Sequence, residues 1–328
     1  MKRKWLQILL SLVVVAGGLY LALRDMNFER VLAAFRQAHW LWMGPAALLV
    51  WVSLLLRAQR WRILLDYAVS LPEAFGLMNI GYLVSNILPL RLGDPAKAVA
   101  ASLRGPISPL AALSTVVIER VLDMLTIMLL LLGTLPFIVA GDLGDYLLAG
   151  LASGGLALTL LAAAVLVARY PKKMEEFAGR LLTAGRFPTP ERWLEVLHQL
   201  LAGLAPLRSP RQGAQLVFWS LVHWGTVVIY FQLALRAFVR TPPLLGGAVA
   251  TWAAALGMIL PAPGGIGAYH TAVQRSLALA FGLPAETTLA YAFAVHAVSY
   301  LSGALWGAGA LLIWGVSFKE LITRAQEV

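Results

Sequence analysis

Six stretches of this chain, roughly residues 5 to 23, 40 to 60, 109 to 138, 146 to 168, 214 to 238 and 286 to 314, are apolar all round. Each is about as long as the 20 residues a helix needs to cross a bilayer. Backbone polar groups find no water in lipid, so spanning segments must be helices or strands of a closed barrel, and runs of this length choose the helix. The chain is therefore expected to be an all-α polytopic membrane protein, a single integral membrane domain over residues 1–328. Composition agrees: 60% of residues are hydrophobic and 13% charged, against about 45–50% and roughly 25% in soluble domains. The absence of cysteine excludes disulfides, thiolate nucleophiles and Cys-type metal centres. The first run follows Lys2-Arg3-Lys4 and lacks an Ala-x-Ala type cleavage site, so it reads as a retained first helix.

Two further apolar stretches, 73 to 103 and 243 to 282, are interrupted near their middles by Ile87-Leu88-Pro89 running into Leu90-Arg91-Leu92-Gly93-Asp94-Pro95, and by Ile259-Leu260-Pro261 running into Ala262-Pro263-Gly264-Gly265-Ile266-Gly267. Proline removes a backbone donor and clashes with the preceding turn, and glycine frees the backbone, so each stretch is predicted to be a pair of half-helices. Basic residues collect in cytoplasmic loops. With both pairs re-entrant, most of the 26 basic residues, including Arg57, Arg60, Arg91, Lys97 and the cluster from Arg169 to Arg211, fall on one side with both termini. Only Arg24, Arg30, Arg36, Arg236, Arg240 and Arg275 fall outside, and Arg120 lies within a span. Six full spans plus two broken re-entrant hairpins is the arrangement this favours, with both termini cytoplasmic in the cell membrane; eight or more full spans is the alternative. The net charge of +10 is then explained by anionic lipid headgroups rather than nucleic acid. Residues 169–212 read as a cytoplasmic linker with an amphipathic helix over 191–204.

Ile-Leu-Pro recurs in both broken segments, and Leu56-Arg57-Ala58-x-Arg60 is echoed by Leu235-Arg236-Ala237-x-x-Arg240. The order of span, broken segment and span repeats too, giving pseudo-repeats of about 1–140 and 141–328. Because the two hairpins enter from opposite sides, the repeats are expected to be inverted. Paired Gly/Pro-broken segments at corresponding places point to a transporter-like site near the midplane.

Glu119, Arg120 and Asp123 lie about ten residues into their span, roughly 15 Å deep. Each such charge costs at least about 2.5–3.5 kcal/mol on insertion scales, so they must face the protein interior and be paired. Arg120 is expected to pair with Asp123 at i+3, with Arg57, Arg60 or Arg91 serving Glu119. Asn86, Pro89, Arg91, Asp94 and Lys97 surround the first break, where Asp94 is a candidate N-cap. Around the second, Pro261, Gly264, Gly265 and Gly267 permit close backbone approach, and Tyr269, His270, Gln274 and Arg275 follow. Two scattered histidines, His270 and His296, do not make a metal motif, and no metal or cofactor is expected.

Arg57-x-x-Arg60-Trp61, Asn86-Ile-Leu-Pro89-Leu-Arg91-Leu-Gly93-Asp94, Glu119-Arg120-x-x-Asp123 and Pro263-Gly264-Gly265-Ile266-Gly267 together resemble the transmembrane domain of lysylphosphatidylglycerol synthases and their stand-alone flippase-like relatives. The resemblance implies a lipid-handling role without aminoacyltransferase activity. It also implies that an acid often found soon after the Gly-Gly-x-Gly element is replaced here by His270, which argues against a cationic lysyl headgroup.

The leading expectation is a lipid translocase acting on a membrane phospholipid or polyprenyl-phosphate-linked lipid. Arg57, Arg60, Arg91 and Lys97 would hold phosphate at the cytoplasmic mouth, Glu119, Arg120 and Asp123 would form a midplane network, and the Gly264–Gly267 loop would gate the outer side. A homo-oligomer is a further expectation. The alternatives are an intramembrane lipid or isoprenoid transferase using Glu119 or Asp123 as base, and a non-transporting scaffold.

Overall fold

The computed structural model describes residues 13, 15–24, 26–88, 92–138, 144–185, 189–259, 263–315 and 317–325. Pro89, Arg91 and Pro261, together with residues 5–12 and 14 of the first predicted span, lie outside these. Among the described residues every regular element is helical. After a helical stretch at 15–23 come α1 (Phe28–Gln37), α2 (Met43–Leu64), α3 (Leu71–Ile87), α4 (Gly93–Arg104), α5 (Pro109–Ile138), α6 (Gly144–Arg169), α7 (Pro171–Ala184), α8 (Pro190–Ala202), α9 (Pro210–Phe238), α10 (Gly246–Gly257), α11 (Ala268–Phe281), α12 (Ala285–Trp314) and α13 (Phe318–Ala325).

Four helices among the described residues are long and apolar enough to cross a membrane: Trp40–Leu64, Pro109–Ile138, Pro210–Phe238 and Ala285–Trp314. Gly154–Arg169 and Pro171–Ala184 are apolar enough only as a pair, bent by 95° at the break between them, and counting that pair as one broken span gives five. The linker holds two helices, α7 and α8, where the sequence suggested one; they pack on each other and leave Phe177, Leu181 and Trp193 exposed.

Both interrupted segments are pairs of half-helices. Ser70 caps α3 with a capping box to Glu73, and α3 runs to Ile87, next to Pro89. The chain then reverses. Met78 and Lys97 would stand about 28 Å apart on one continuous helix, yet Lys97 Nζ is 3.4 Å from Met78 Sδ, and Arg104 at the far end of α4 is 3.1 Å from Glu73. The arms are therefore antiparallel, and at the start of α4 Gly93 presses on the Gly81 carbonyl and Ser85 without room for a Cβ. α10 and α11 fold back in the same way: a Cβ on Gly257 would meet Tyr269 Cα at 2.7 Å. Between them the loop needs glycine, because Gly264, Gly265 and Gly267 have φ of 58°, 70° and 90°.

The packing of the second half follows that of the first. α2 lies on α3 and α9 on α10; α4 lies on α5 and α11 on α12; α3 also packs on α12, and α10 on α5. At the centre α2 and α9 cross antiparallel, linked by His39 N–H to the Ala237 carbonyl at one end (2.8 Å) and Gln212 Nε2 to Asp66 at the other (2.7 Å). Two apolar cores result, one around Trp61, Leu77, Val99 and Ile118, the other around Phe231, Trp252, Val273 and Tyr291.

Candidate functional site

α2 and α5 place their charges face to face. Glu119 and Asp123, one turn apart, project from the same side of α5 toward Arg57 and Arg60, which stand nearly one turn apart on α2. Arg57 donates from Nε to Glu119 (2.7 Å) and from Nη2 to Asp123 (2.7 Å). Arg60 donates to Asp123 (2.7 Å) and to Ser220 Oγ on α9 (3.1 Å). The hairpin adds a third cation: Lys97 Nζ is 2.5 Å from the other Glu119 oxygen and 4.6 Å from the centre of the Trp61 ring. Trp224 completes the shell by donating to Asp123 at 3.2 Å. Glu119 and Arg60 are fully buried, and Lys97 is 3% exposed.

Three cations face two carboxylates here, so the cluster carries one positive charge in excess. Burying charge without pairing is costly, and the neighbouring Arg120 and Asp94 pair with each other. The expected Arg120–Asp123 pair does not form. One residue on from Glu119, Arg120 is turned about 100° around the helix and meets α4, where it grips Asp94 through both Nη2 contacts, at 2.7 and 2.9 Å. That contact also overturns Asp94 as N-cap: the residue before α4 is Leu92, which provides no side-chain cap.

Arg57 forms part of the wall of a cavity of about 210 Å³ enclosed by α2, the tips of both hairpins, α9 and α12. Tyr82 and Asn86 reach it from the first hairpin, Thr251, Gly264 and Tyr269 from the second, and His223, Trp224, His296 and Tyr300 from the long helices. No carboxylate is among its lining residues. The hairpin tips meet at Tyr300, whose hydroxyl donates to the Asn86 carbonyl (3.0 Å) and whose ring lies under Gly264. Arg60 and Lys97 are enclosed in the ion cluster rather than placed at an open mouth, so of the described basic candidates it is Arg57 that faces this cavity. With Nε and Nη2 committed to the carboxylates, Nη1 is its remaining donor group. Gln274 is buried on α11 and Arg275 exposed.

The sequence profile of the lysylphosphatidylglycerol synthase TM region matches residues 8–307. The chain belongs to this family. Nothing among the curated proteins, and no solved structure, matches the chain. The matched region takes in both hairpins, the ion cluster and the cavity, so this family member carries its buried charges inside the part it shares with a lipid-related membrane domain. Sequence reasoning missed the roles of Ser220, Trp224 and Tyr82. Each is an isolated polar or aromatic residue in an apolar helix, and only the fold brings it to the cluster or the cavity. His270 and His296 are both legible as titratable groups, but their contact with each other is not.

Proposed function

We propose that this protein is a lipid translocase in which a phosphate-bearing headgroup passes through the cavity between the hairpin tips while its tails stay in the bilayer. The observation that carries the reading is a charged residue of a net-positive buried cluster opening onto a cavity bounded by both broken hairpins. A phosphodiester would accept from Arg57 Nη1, with the Asn86, Tyr82 and Trp224 side chains around it. The buried acids would hold Arg57 in place, and Arg91 would gather headgroups at the entrance.

The reading includes a topology of six spans and two re-entrant hairpins, with both termini cytoplasmic in the cell membrane. Supporting it, α4 and α10 at 12 residues extend roughly 18 Å and α11 at 14 residues roughly 21 Å, short of a hydrocarbon core of about 30 Å. The matched packing of the two halves and the antiparallel crossing of α2 and α9 support inverted pseudo-repeats.

The test is reconstitution into liposomes carrying fluorescent lipids of different headgroups, with leaflet exchange followed by dithionite quenching. Arg57→Gln is expected to slow exchange of a phosphatidylglycerol probe at least tenfold. A variant that unfolds at the wild-type temperature yet moves lipid at the wild-type rate would remove Arg57 from the pathway, whereas wild-type protein that leaves exchange at the rate of protein-free liposomes would remove the translocase reading.

A further inference from the structure

The second hairpin is tied to α12 by two imidazoles whose proton positions are fixed by their neighbours. The Gly267 backbone N–H donates to His270 Nδ1 at 3.2 Å, so that nitrogen is unprotonated. The single proton of neutral His270 is then on Nε2, which lies 3.1 Å from His296 Nδ1 and donates to it. His296 therefore keeps its own proton on Nε2, and the ring lines the cavity together with Gly264. One chain of hydrogen bonds leaves the glycine loop at Gly267 and passes through both rings onto α12. Phe293 stacks on His270 with ring centres 4.1 Å apart, and Tyr269 lies 4.3 Å from His296, which holds the rings in register.

The chain has no place for another proton. Four ring nitrogens carry two protons, and the bond between the rings needs one proton between them. A third can be added without breaking that bond only at His270 Nδ1, the acceptor of the Gly267 N–H. Protonation therefore strips the loop of its tie. Among the described residues, no carboxylate lines the cavity to drive this. The titratable or charged groups that share its wall with His296 are Arg57, Tyr82, His223, Tyr230, Tyr269 and Tyr300, of which Arg57 is the one cation, and a cation opposes protonation. A bound anion would reverse that balance, because opposite charge at short range in a low-dielectric site favours the charged imidazole.

We propose that the His270–His296 pair is a latch on the 263–267 loop, released when an anionic headgroup in the cavity draws one proton from water onto the pair. This rests on the translocase reading of the cavity and adds to it a means of opening: the substrate's own charge unfastens the outer loop, whereas a headgroup with no net charge leaves it fastened. No covalent bond changes. One proton moves from solvent to the pair, and the hydrogen bond from Gly267 to His270 is lost.

The full chain is placed in nanodiscs of phosphatidylcholine alone or with phosphatidylglycerol, and hydrogen exchange of the peptide containing Gly267 is followed from pH 8 to 5 after correction for intrinsic rates. With phosphatidylglycerol the loop is expected to lose at least tenfold of its protection as pH falls through this range, and with phosphatidylcholine alone it should stay protected. His296→Gln should abolish the lipid-dependent difference. His270→Phe, which fills the ring's space without an acceptor, should leave the loop unprotected in both lipids. Identical pH profiles in the two lipids, or a lipid-dependent difference that survives His296→Gln, would overturn the latch. Leaflet exchange measured on the same protein separates the two ideas: exchange without loop release keeps the translocase and discards the latch, and loop release without exchange does the reverse.

Discussion

The two hairpins share a shape and differ in how each is tied to the long helix that follows it. In the first, the second arm reaches α5 through Lys97 on Glu119 and Asp94 on Arg120; in the second, it reaches α12 through His270 on His296. The first tie is made of close ion pairs. The second is made of neutral rings that a single proton rearranges. The contrast separates a fixed wall from a movable one, and it does so with side chains rather than with fold.

The comparison breaks most readily at Glu119. Glu119→Gln keeps the shape but leaves Arg57, Arg60 and Lys97 with only Asp123, and removing one partner from a buried ion cluster costs about 3–5 kcal/mol. Unfolding in mixed micelles at increasing dodecyl sulfate should show a loss of this size, whereas one below about 1 kcal/mol would mean the charges are solvated. Gly93→Ala comes next. A Cβ there meets the Gly81 carbonyl, and overpacking costs typically about 1–3 kcal/mol, measurable by the same titration. Lys97→Met is expected to cost less than Glu119→Gln even though it removes the shortest contact of the cluster, because two arginines facing two acids are balanced. A greater loss for Lys97→Met would show that pairing geometry outweighs charge count. The smallest effect is expected at the open end of the first hairpin, where Arg104 and Glu73 are partly exposed. Such pairs contribute about 0–1 kcal/mol, so Arg104→Ala should change the titration midpoint little, and a large shift would place that end away from water.

Much of this was legible in the sequence because it follows from cost. Pro and Gly in long apolar runs had to break them, so the half-helix pairs could be read without a structure, though Pro89, Arg91 and Pro261 themselves lie outside the described residues. Charges near the middle of a span had to be paired, and Glu119 and Asp123 do face inward, whereas the Arg120 side chain is 41% exposed. What could not be read was the choice of partner. The i, i+3 rule favoured Arg120 with Asp123, but a helix neighbour competes with groups brought in by packing, and Asp94 and Arg57 lie on other helices. The tie between His270 and His296 had no pattern to betray it, since the residues are 26 apart and their relation depends on how α11 lies against α12.

The ion cluster also bears on the order in which the chain is made. Arg57 precedes Glu119 by 62 residues, so α2 emerges with two arginines well before either acid exists. At about 5–20 residues per second the delay is roughly 3–12 s, and each unpaired arginine in lipid costs at least about 2.5–3.5 kcal/mol. During that interval α2 has to wait at a protein or aqueous boundary. Its final place in the membrane is settled only when α5 arrives, so the first half of the molecule assembles as one unit rather than helix by helix.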